Sequence, residues 1–492
     1  MLRLMRWSRS SLPVLCALSC LAYFAPDVAH AFEPPKTTTL LGPELTDRER
    51  VLQALNRLAF GPKPGQIEDV LKNGGWEQWF REQMQPDKID DSAVEKEIHD
   101  RFPWSGKEDI MAFKKACPMT REKNPRASLY EEMPQYVLLR AVKSNRQFNE
   151  VMVEFWRNHF CVDMPEKDKS RVWTAGHYEE QVIRKYTFGK FKNMLYASAT
   201  HPAMLEYLDN ALSKKNDWNE NFAREVMELH TVGADVGYGD DDVRELSKAL
   251  TGWTYDDHYH FVFESGEHQP GTKYWMGFQL PEGKSGGEQA LYTLATCPAC
   301  ANFISLQLCR YLVNDNPSPA LVKKIAKVFL ESDGDLPKVY TAIVMSPDFM
   351  SRENFRSKFK TPFEFTVSVL RATDAKVDDL QQTATVIGKM GQPIYNCPDP
   401  TGYRFVAESW MDAGVLTSRW DYAWRLIRGQ VRGVEVSDSF IDKYAKLDPA
   451  KMQSQMVTDV IGADIGDREK KMAGDAPKML SILLGSPTFQ QQ

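Results

Sequence analysis

Cysteine, a charge excess of one sign and long apolar runs are all scarce in this 492-residue chain. Eight cysteines in this length do not make the disulfide-dense scaffold of a small secreted domain. With 61 Lys+Arg against 67 Asp+Glu, the formal charge is −6. That balance excludes the basic footprint of a protein that coats nucleic acid. At 42% hydrophobic and 26% charged, the chain is neither disordered nor collagen-like. Beyond residue 31 no stretch reaches ~18 uninterrupted apolar residues, so no transmembrane segment is expected in the mature chain. No repeat of fixed period appears, which disfavours a solenoid. There is no H-E-x-x-H and no second C-x-x-C, so no stereotyped zinc site exists.

What is present begins with an address. Residues 1–31 read as a secretory signal peptide: Arg3, Arg6 and Arg9, an apolar run from Leu12 to Ala25, then Ala29-His30-Ala31 for cleavage after Ala31. A secreted or periplasmic location follows as an expectation. Removing the segment deletes Arg3, Arg6, Arg9 and Asp27, which takes the charge from −6 to −8. The mature cysteines 117, 161, 297, 300, 309 and 397 then meet an oxidising space, and the sequence does not choose their pairing.

Residues 32–45 form a Pro/Thr-rich lead-in, and 46–492 read as one helical domain with a subdivision near 254–290. Thr46 caps Val51, Leu52, Leu55 and Leu58 at helical spacing, stopped by Gly61-Pro62. Similar patterns run through Met133 to Val142, Phe148 to Phe160, Ile183 to Ser198, Asn219 to Thr231 and Asp241 to Thr251. They recur at Ala301 to Val313, Ala320 to Leu330, Leu336 to Met345, Pro362 to Thr373 and Thr417 to Gly429. Around 254–280 the period changes: Tyr259-His260-Phe261-Val262-Phe263 alternates, which predicts a small β-hairpin insert. Residues 86–125 show mixed charge and little period, and read as a surface excursion. The fold class is mainly α, a multi-helix globular body carrying that insert.

Histidine placement points to chemistry. Seven of nine histidines (159, 177, 201, 230, 258, 260, 268) fall between 159 and 268, where residues 205–245 carry 11 Asp/Glu against 4 Lys/Arg. Imidazole with carboxylate is a ligand set for transition metals and a set for acid–base work. On the Asn219–His230 stretch, Asn221, Glu225 and Glu228 lie within about 60° of one another, while His230 is about 200° from Glu228. A straight helix therefore cannot bring Glu228 and His230 to one ion; a solvated acidic face with a satisfied His is the plainer reading. His159, among Phe155, Trp156 and Phe160, has a core-histidine alternative. His201 opens a helix at Pro202, where a lowered pKa suits a neutral ligand or a base, with a simple cap as the alternative. His268 lies on a loop of the insert. Gly283-Lys284-Ser285-Gly286-Gly287 matches G-x-S-x-G, but Pro281-Glu282 makes a flexible turn of it. Cys297-Pro298-Ala299-Cys300 resembles a redox pair without the surrounding βαβ pattern.

Several longer stretches carry a resemblance: Ala54 to Pro62, Phe155-Trp156-Arg157-Asn158-His159-Phe160, His201-Pro202-Ala203-Met204, Tyr207 to Asn210 and Asn219 to Glu225. Others are Glu228-Leu229-His230-Thr231, Leu250 to Trp253, Lys360 to Glu364, Gly391-Gln392-Pro393, Pro400-Thr401-Gly402-Tyr403 and Arg419-Trp420. Together they resemble the bacterial domain-of-unknown-function 1800 family over nearly all of 45–490. The resemblance implies a mostly helical fold, export, and genomic neighbourhood with a secreted, sulfatase-like family numbered 1501. It implies no reaction. It also implies His-Pro near 297–298, where this chain has Cys297-Pro298, which weakens the redox reading.

The leading expectation is an exported enzyme, a metal-dependent hydrolase or oxidoreductase in its metal version, acting on an envelope or extracellular polymer such as a polysaccharide. Glu225, Glu228, His230 and His268 would be catalytic. His159, His201 and His230 would hold a divalent transition metal. Trp253 and Tyr255 would stack on sugar, and Lys360 and Arg419 would bind an anionic group. One alternative is a non-catalytic binding or assembly factor for envelope polymers or for the sulfatase-like neighbour. A second is a thiol redox protein working through Cys297 and Cys300.

Overall fold

The computed structural model describes residues 44–117, 125–164, 169–234, 236–397, 399–463, 465, 471 and 474–492. The expected signal peptide and nearly all of the lead-in lie outside the described residues. Helix starts follow local chemistry. Thr46 and Glu49 close a capping box on the Asp47–Leu58 helix, and Thr361 and Glu364 close another on Pro362–Ala372. In each, the N-cap hydroxyl and the third-position carboxylate satisfy amide groups that the first turn leaves without partners. Proline in the first turn recurs at Pro202, Pro298, Pro319 and Pro362, where no amide hydrogen is needed.

The architecture is mainly α, as the periodicity predicts, with two small antiparallel ribbons in the expected insert. Strand β1 (Trp253–Tyr255) pairs with β2 (Phe261–Phe263), and β3 (Lys273–Trp275) pairs with β4 (Phe278–Leu280). Met276 and Gly277 between β3 and β4 both have positive φ, the requirement of a tight hairpin turn that follows strand twist. A third ribbon, β5 (Lys376–Val377) with β6 (Val434–Glu435), joins distant segments and had no sequence signal.

Two segments depart from expectation. The supposed surface excursion contains helices Ser92–Arg101 and Ile110–Ala116, with Val94, Ile98, Phe102, Trp104 and Phe113 in the core. Its apolar residues are few, but Val94 and Ile98 stand one turn apart, and Trp104 packs on Phe102, Phe113 and Tyr136. The polar residues dock it too: Arg140 donates to both oxygens of Glu95 at 2.8 and 2.9 Å. The single helix expected over 183–198 is two elements, a π-helical turn Glu179–Arg184 and a helix Phe191–Ala199. The break falls where Thr187 and Gly189 turn back on Ile183 and Tyr186.

Leu45–Gln492 forms one compact unit. Within it, Trp156 on the Gln147–His159 helix is a fixed point: its indole donates to Tyr340 Oη at 2.6 Å, and Tyr340 donates to the Thr187 carbonyl at 2.8 Å. This holds the last turn of the Gln147–His159 helix, where Asn158 and His159 project. No helix among the described residues is long and apolar enough to cross a membrane.

Candidate functional site

A cleft of about 470 Å³ opens beside that last turn. One wall comes from Phe155, Asn158 and His159, a second from Glu228 and Leu229, and a third from Phe303, Gln307 and Arg310. The last three repeat at four and three residues along the Pro298–Leu312 helix, so they share one face. The remaining wall is the loop Thr401, Tyr403, Arg404, Phe405 and Val406, with Asp315 and Asn316 at its edge.

The loop is fastened at both ends. Asn158 Nδ2 donates to the Tyr403 carbonyl at 2.8 Å, and the Tyr403 amide donates back to Asn158 Oδ1 at 2.7 Å. Gly402, at φ +70°, lies so close that a Cβ there would stand 2.4 Å from the Asn158 carbonyl oxygen. Farther along, the buried Lys358 ammonium donates to Asp315 Oδ1 at 2.5 Å and to the carbonyls of Phe405 and Arg310 at 2.7 and 2.9 Å. Asp315 also accepts from the Ala407 amide at 2.8 Å. One interior cation thus sets three of the residues that shape the cleft.

His159 Nε2 lies 3.1 Å from the His230 carbonyl. A carbonyl only accepts, so the proton is on Nε2 and the lone pair is on Nδ1. Burial lowers the His159 pKa to about 4, and burial with the neighbouring His159 ring lowers His230 to about 3. Both are neutral imidazoles in aromatic surroundings: His159 meets Phe155, Trp156 and Phe160, and His230 meets Phe160. Their ring centroids are 6.1 Å apart. The Asn221–Glu228 helix ends between the two groups compared in the sequence: Glu228 faces the cleft while His230 turns into the core. One turn before Glu228, Glu225 is half-buried and its carboxyl holds its proton to higher pH, through burial first and then the charges of Glu228 and Asp399.

The other expected site residues are elsewhere. His201 pairs with His177, and the bonding assigns every ring nitrogen. The Ala203 amide donates to His201 Nδ1 at 3.1 Å, so His201 donates from Nε2 to His177 Nδ1 at 2.9 Å. His177 Nε2 then donates to the Glu108 carbonyl at 2.7 Å. No lone pair is left on His201 for a metal in this arrangement. His268 sits between the Thr251 carbonyl (2.9 Å from Nδ1) and the buried Lys273 ammonium (2.9 Å from Nε2), away from the cleft lining. Among the described residues, no group of three or more His, Cys, Asp or Glu is arranged to hold a metal ion.

The expected substrate contacts stand outside the cleft lining, and Trp253, Lys360 and Arg419 are buried. Trp253 is fully buried under Phe261 and Gly287; a Cβ at Gly287 would stand 2.6 Å from the indole, so no ring face is free for sugar. Tyr255, in the insert, stacks on Tyr259 and donates to Glu206 on the Pro202–Tyr207 helix. Lys360 donates to the Phe489 carbonyl at 2.8 Å, and burial lowers its pKa to about 7. Arg419 is caged by Phe359 and Phe365. Both side chains are interior and stand outside the cleft lining. Ser285 lies in the first turn of the Lys284–Thr296 helix and donates to the Glu282 carbonyl at 3.0 Å, so the glycines beside it serve packing against Pro281 and Trp253. Cys297 caps the next helix through the Cys300 amide, and burial raises the Cys300 thiol well above its ordinary value.

Asn158, Tyr403, Arg310, Phe303, Phe405 and Lys358 were not singled out as site residues in the sequence. Asn158 and Tyr403 did stand in the motif text, and their mutual bonds explain why two such distant motifs accompany each other. Lys358 and Asp315 carry no sequence signal at all.

The molecule is thus a mainly helical protein in which three of the motif stretches, around Asn158, Glu228 and Tyr403, meet in one polar–aromatic cleft. Residues 53–491 match the family described as a protein of unknown function (DUF1800), and the chain belongs to that family. No curated protein and no solved structure matches it.

Proposed function

We propose that this protein is an exported enzyme that hydrolyses an envelope or extracellular polymer, a polysaccharide foremost, in the cleft between Asn158, Glu228, Arg310 and Tyr403. The carrying observation is the pairing of two carboxyl groups on one helix face: Glu228 in the cleft, and Glu225 behind it with raised proton affinity. Such a pair can divide the work of acid and base, because the group with the higher proton affinity is the better proton donor while its neighbour activates water; Glu228 lines the cleft and Glu225 stands one turn behind it. Phe303 and Phe405 supply apolar faces for sugar rings, and Arg310, Arg404 and Gln307 supply donors for hydroxyl or acidic groups. His159 offers the cleft a neutral lone pair on Nδ1. It suits orienting a hydroxyl, and with Glu228 it is the cleft pair a divalent metal would use; metal analysis of natively purified protein tests that version.

The test is a polysaccharide panel read by release of reducing ends, with Glu228→Gln and Glu225→Gln beside the wild type. Loss of product with retained binding in both variants supports the hydrolase. A second reading, a binding or assembly factor for such polymers or for the sulfatase-like neighbour, is favoured by the two histidines held neutral in aromatic cages. Saturable binding without product, unchanged by either Gln variant, selects it. Export is tested by N-terminal sequencing of the secreted protein, with Phe32 expected as its first residue.

A further inference from the structure

Cys161 and Cys397, 236 residues apart in the sequence, meet beside the cleft. The chain leaves the Gln147–His159 helix and runs against the segment that leads into the cleft loop, tied on either side of the cysteines. On one side Asn158 and Tyr403 exchange their two bonds; on the other the Met164 amide donates to the Tyr395 carbonyl at 2.7 Å. Cys161 lies between Asn158 and Met164, and Cys397 lies between Tyr395 and Tyr403. Both residues are buried and line one small cavity of about 30 Å³; the Cys161 thiol donates to the Cys397 sulfur, and the Cys397 thiol donates to the Asp399 carbonyl at 3.4 Å. Among the described residues, no other pair of free thiols joins two segments that build the cleft.

We propose that Cys161 and Cys397 form a reversible disulfide that latches the Tyr403–Phe405 wall of the cleft to the end of the Gln147–His159 helix. The oxidant is a disulfide compound of the thiol–disulfide exchange class. The Cys397 thiolate attacks one sulfur of the oxidant, forming a mixed disulfide and releasing one oxidant thiol. Cys161 then loses its proton and displaces the second oxidant thiol. The balance is two protein thiols and one disulfide giving one protein disulfide and two small thiols. The order follows from the pair itself: hydrogen bonding from Cys161 lowers the Cys397 thiol below its ordinary value, while the same bond and burial raise Cys161. Only the thiolate attacks. Cys117, Cys300 and Cys309 are buried with raised thiols and stand apart from this chemistry.

The experiment treats the reduced full-length protein with oxidised glutathione, traps free thiols with an alkylating agent, and maps peptides without reduction. The expected product is a peptide pair linking Cys161 to Cys397, lighter by two hydrogens than the free peptides, with a Tm above that of the reduced protein. In Cys161→Ser the reaction should stop with glutathione on Cys397; in Cys397→Ser, Cys161 should stay unmodified. Separate alkylation of both cysteines after oxidation, or a link from either to a different cysteine, overturns the proposal. These readouts are masses on the wild-type chain as well as the variants, so they stand whether or not the cleft proves to be hydrolytic.

Discussion

Acidification should expose how the paired histidines are held, and His230→Phe is the variant that isolates the effect. In the folded chain His159 and His230 take up protons only near pH 4 and pH 3, against an ordinary value of 6.5. The unfolded chain protonates each ring as the pH falls through 6.5. Between 6.5 and the folded values the unfolded state therefore binds more protons, so stability is complete above 6.5 and is lost as the pH falls. From pH 7 to pH 5 the linkage amounts to about 2 kcal/mol for each ring. Phenylalanine keeps the aromatic contact with Phe160, and the backbone carbonyl that His159 uses is untouched. The carboxylates titrate in both proteins and cancel in the comparison. Urea unfolding at pH 7 and pH 5 should show His230→Phe losing about 2 kcal/mol less than wild type over that interval. An equal loss in the two proteins, or a His230 ring signal that titrates near 6.5 in the native state, would refute the reasoning.

Three more outcomes follow from the cleft. Lys358→Met removes an interior cation from Asp315 and two carbonyls; because Asp315 keeps some solvent and its Ala407 bond, the cost should fall at the lower end for breaking a buried pair, about 3 kcal/mol, read by denaturant midpoint. Gly402→Ala forces a Cβ onto the Asn158 backbone at positive φ and should destabilise by about 1–3 kcal/mol, with faster proteolysis within the 399–405 loop. Glu228→Gln removes one of the two charges that raise Glu225, so carboxyl NMR should show the Glu225 titration moving to lower pH, though burial keeps it above the ordinary value.

The unequal legibility of the chain has physical causes. Thr46 with Glu49, Thr361 with Glu364 and the switch to alternating residues near 260 act within a few positions, so the helices and the ribbon insert could be read directly. Val94, Ile98 and Trp104 show the limit: their burial depends on Tyr136 and Phe113, which no local period reveals. At the cleft, His159 and Glu228 come from the stretch dense in histidine and acidic residues, and the angle between Glu228 and His230 follows from the helix period. Density could not tell that His201 would spend both nitrogens on Ala203 and His177, or that Trp253, Lys360 and Arg419 would be enclosed by their neighbours.

The few cysteines illustrate the same division. Their number and the absence of a dense framework were plain from composition. That Cys161 meets Cys397, while Cys297 only caps a helix, depends on chain crossings more than two hundred residues apart. A mainly helical body, its caps and its insert follow from local sequence, because these rest on short-range hydrogen bonding and on the period of apolar residues. Tertiary structure alone decided which polar side chains share the cleft and which are interior struts, because burial and partnership arise only when distant segments pack.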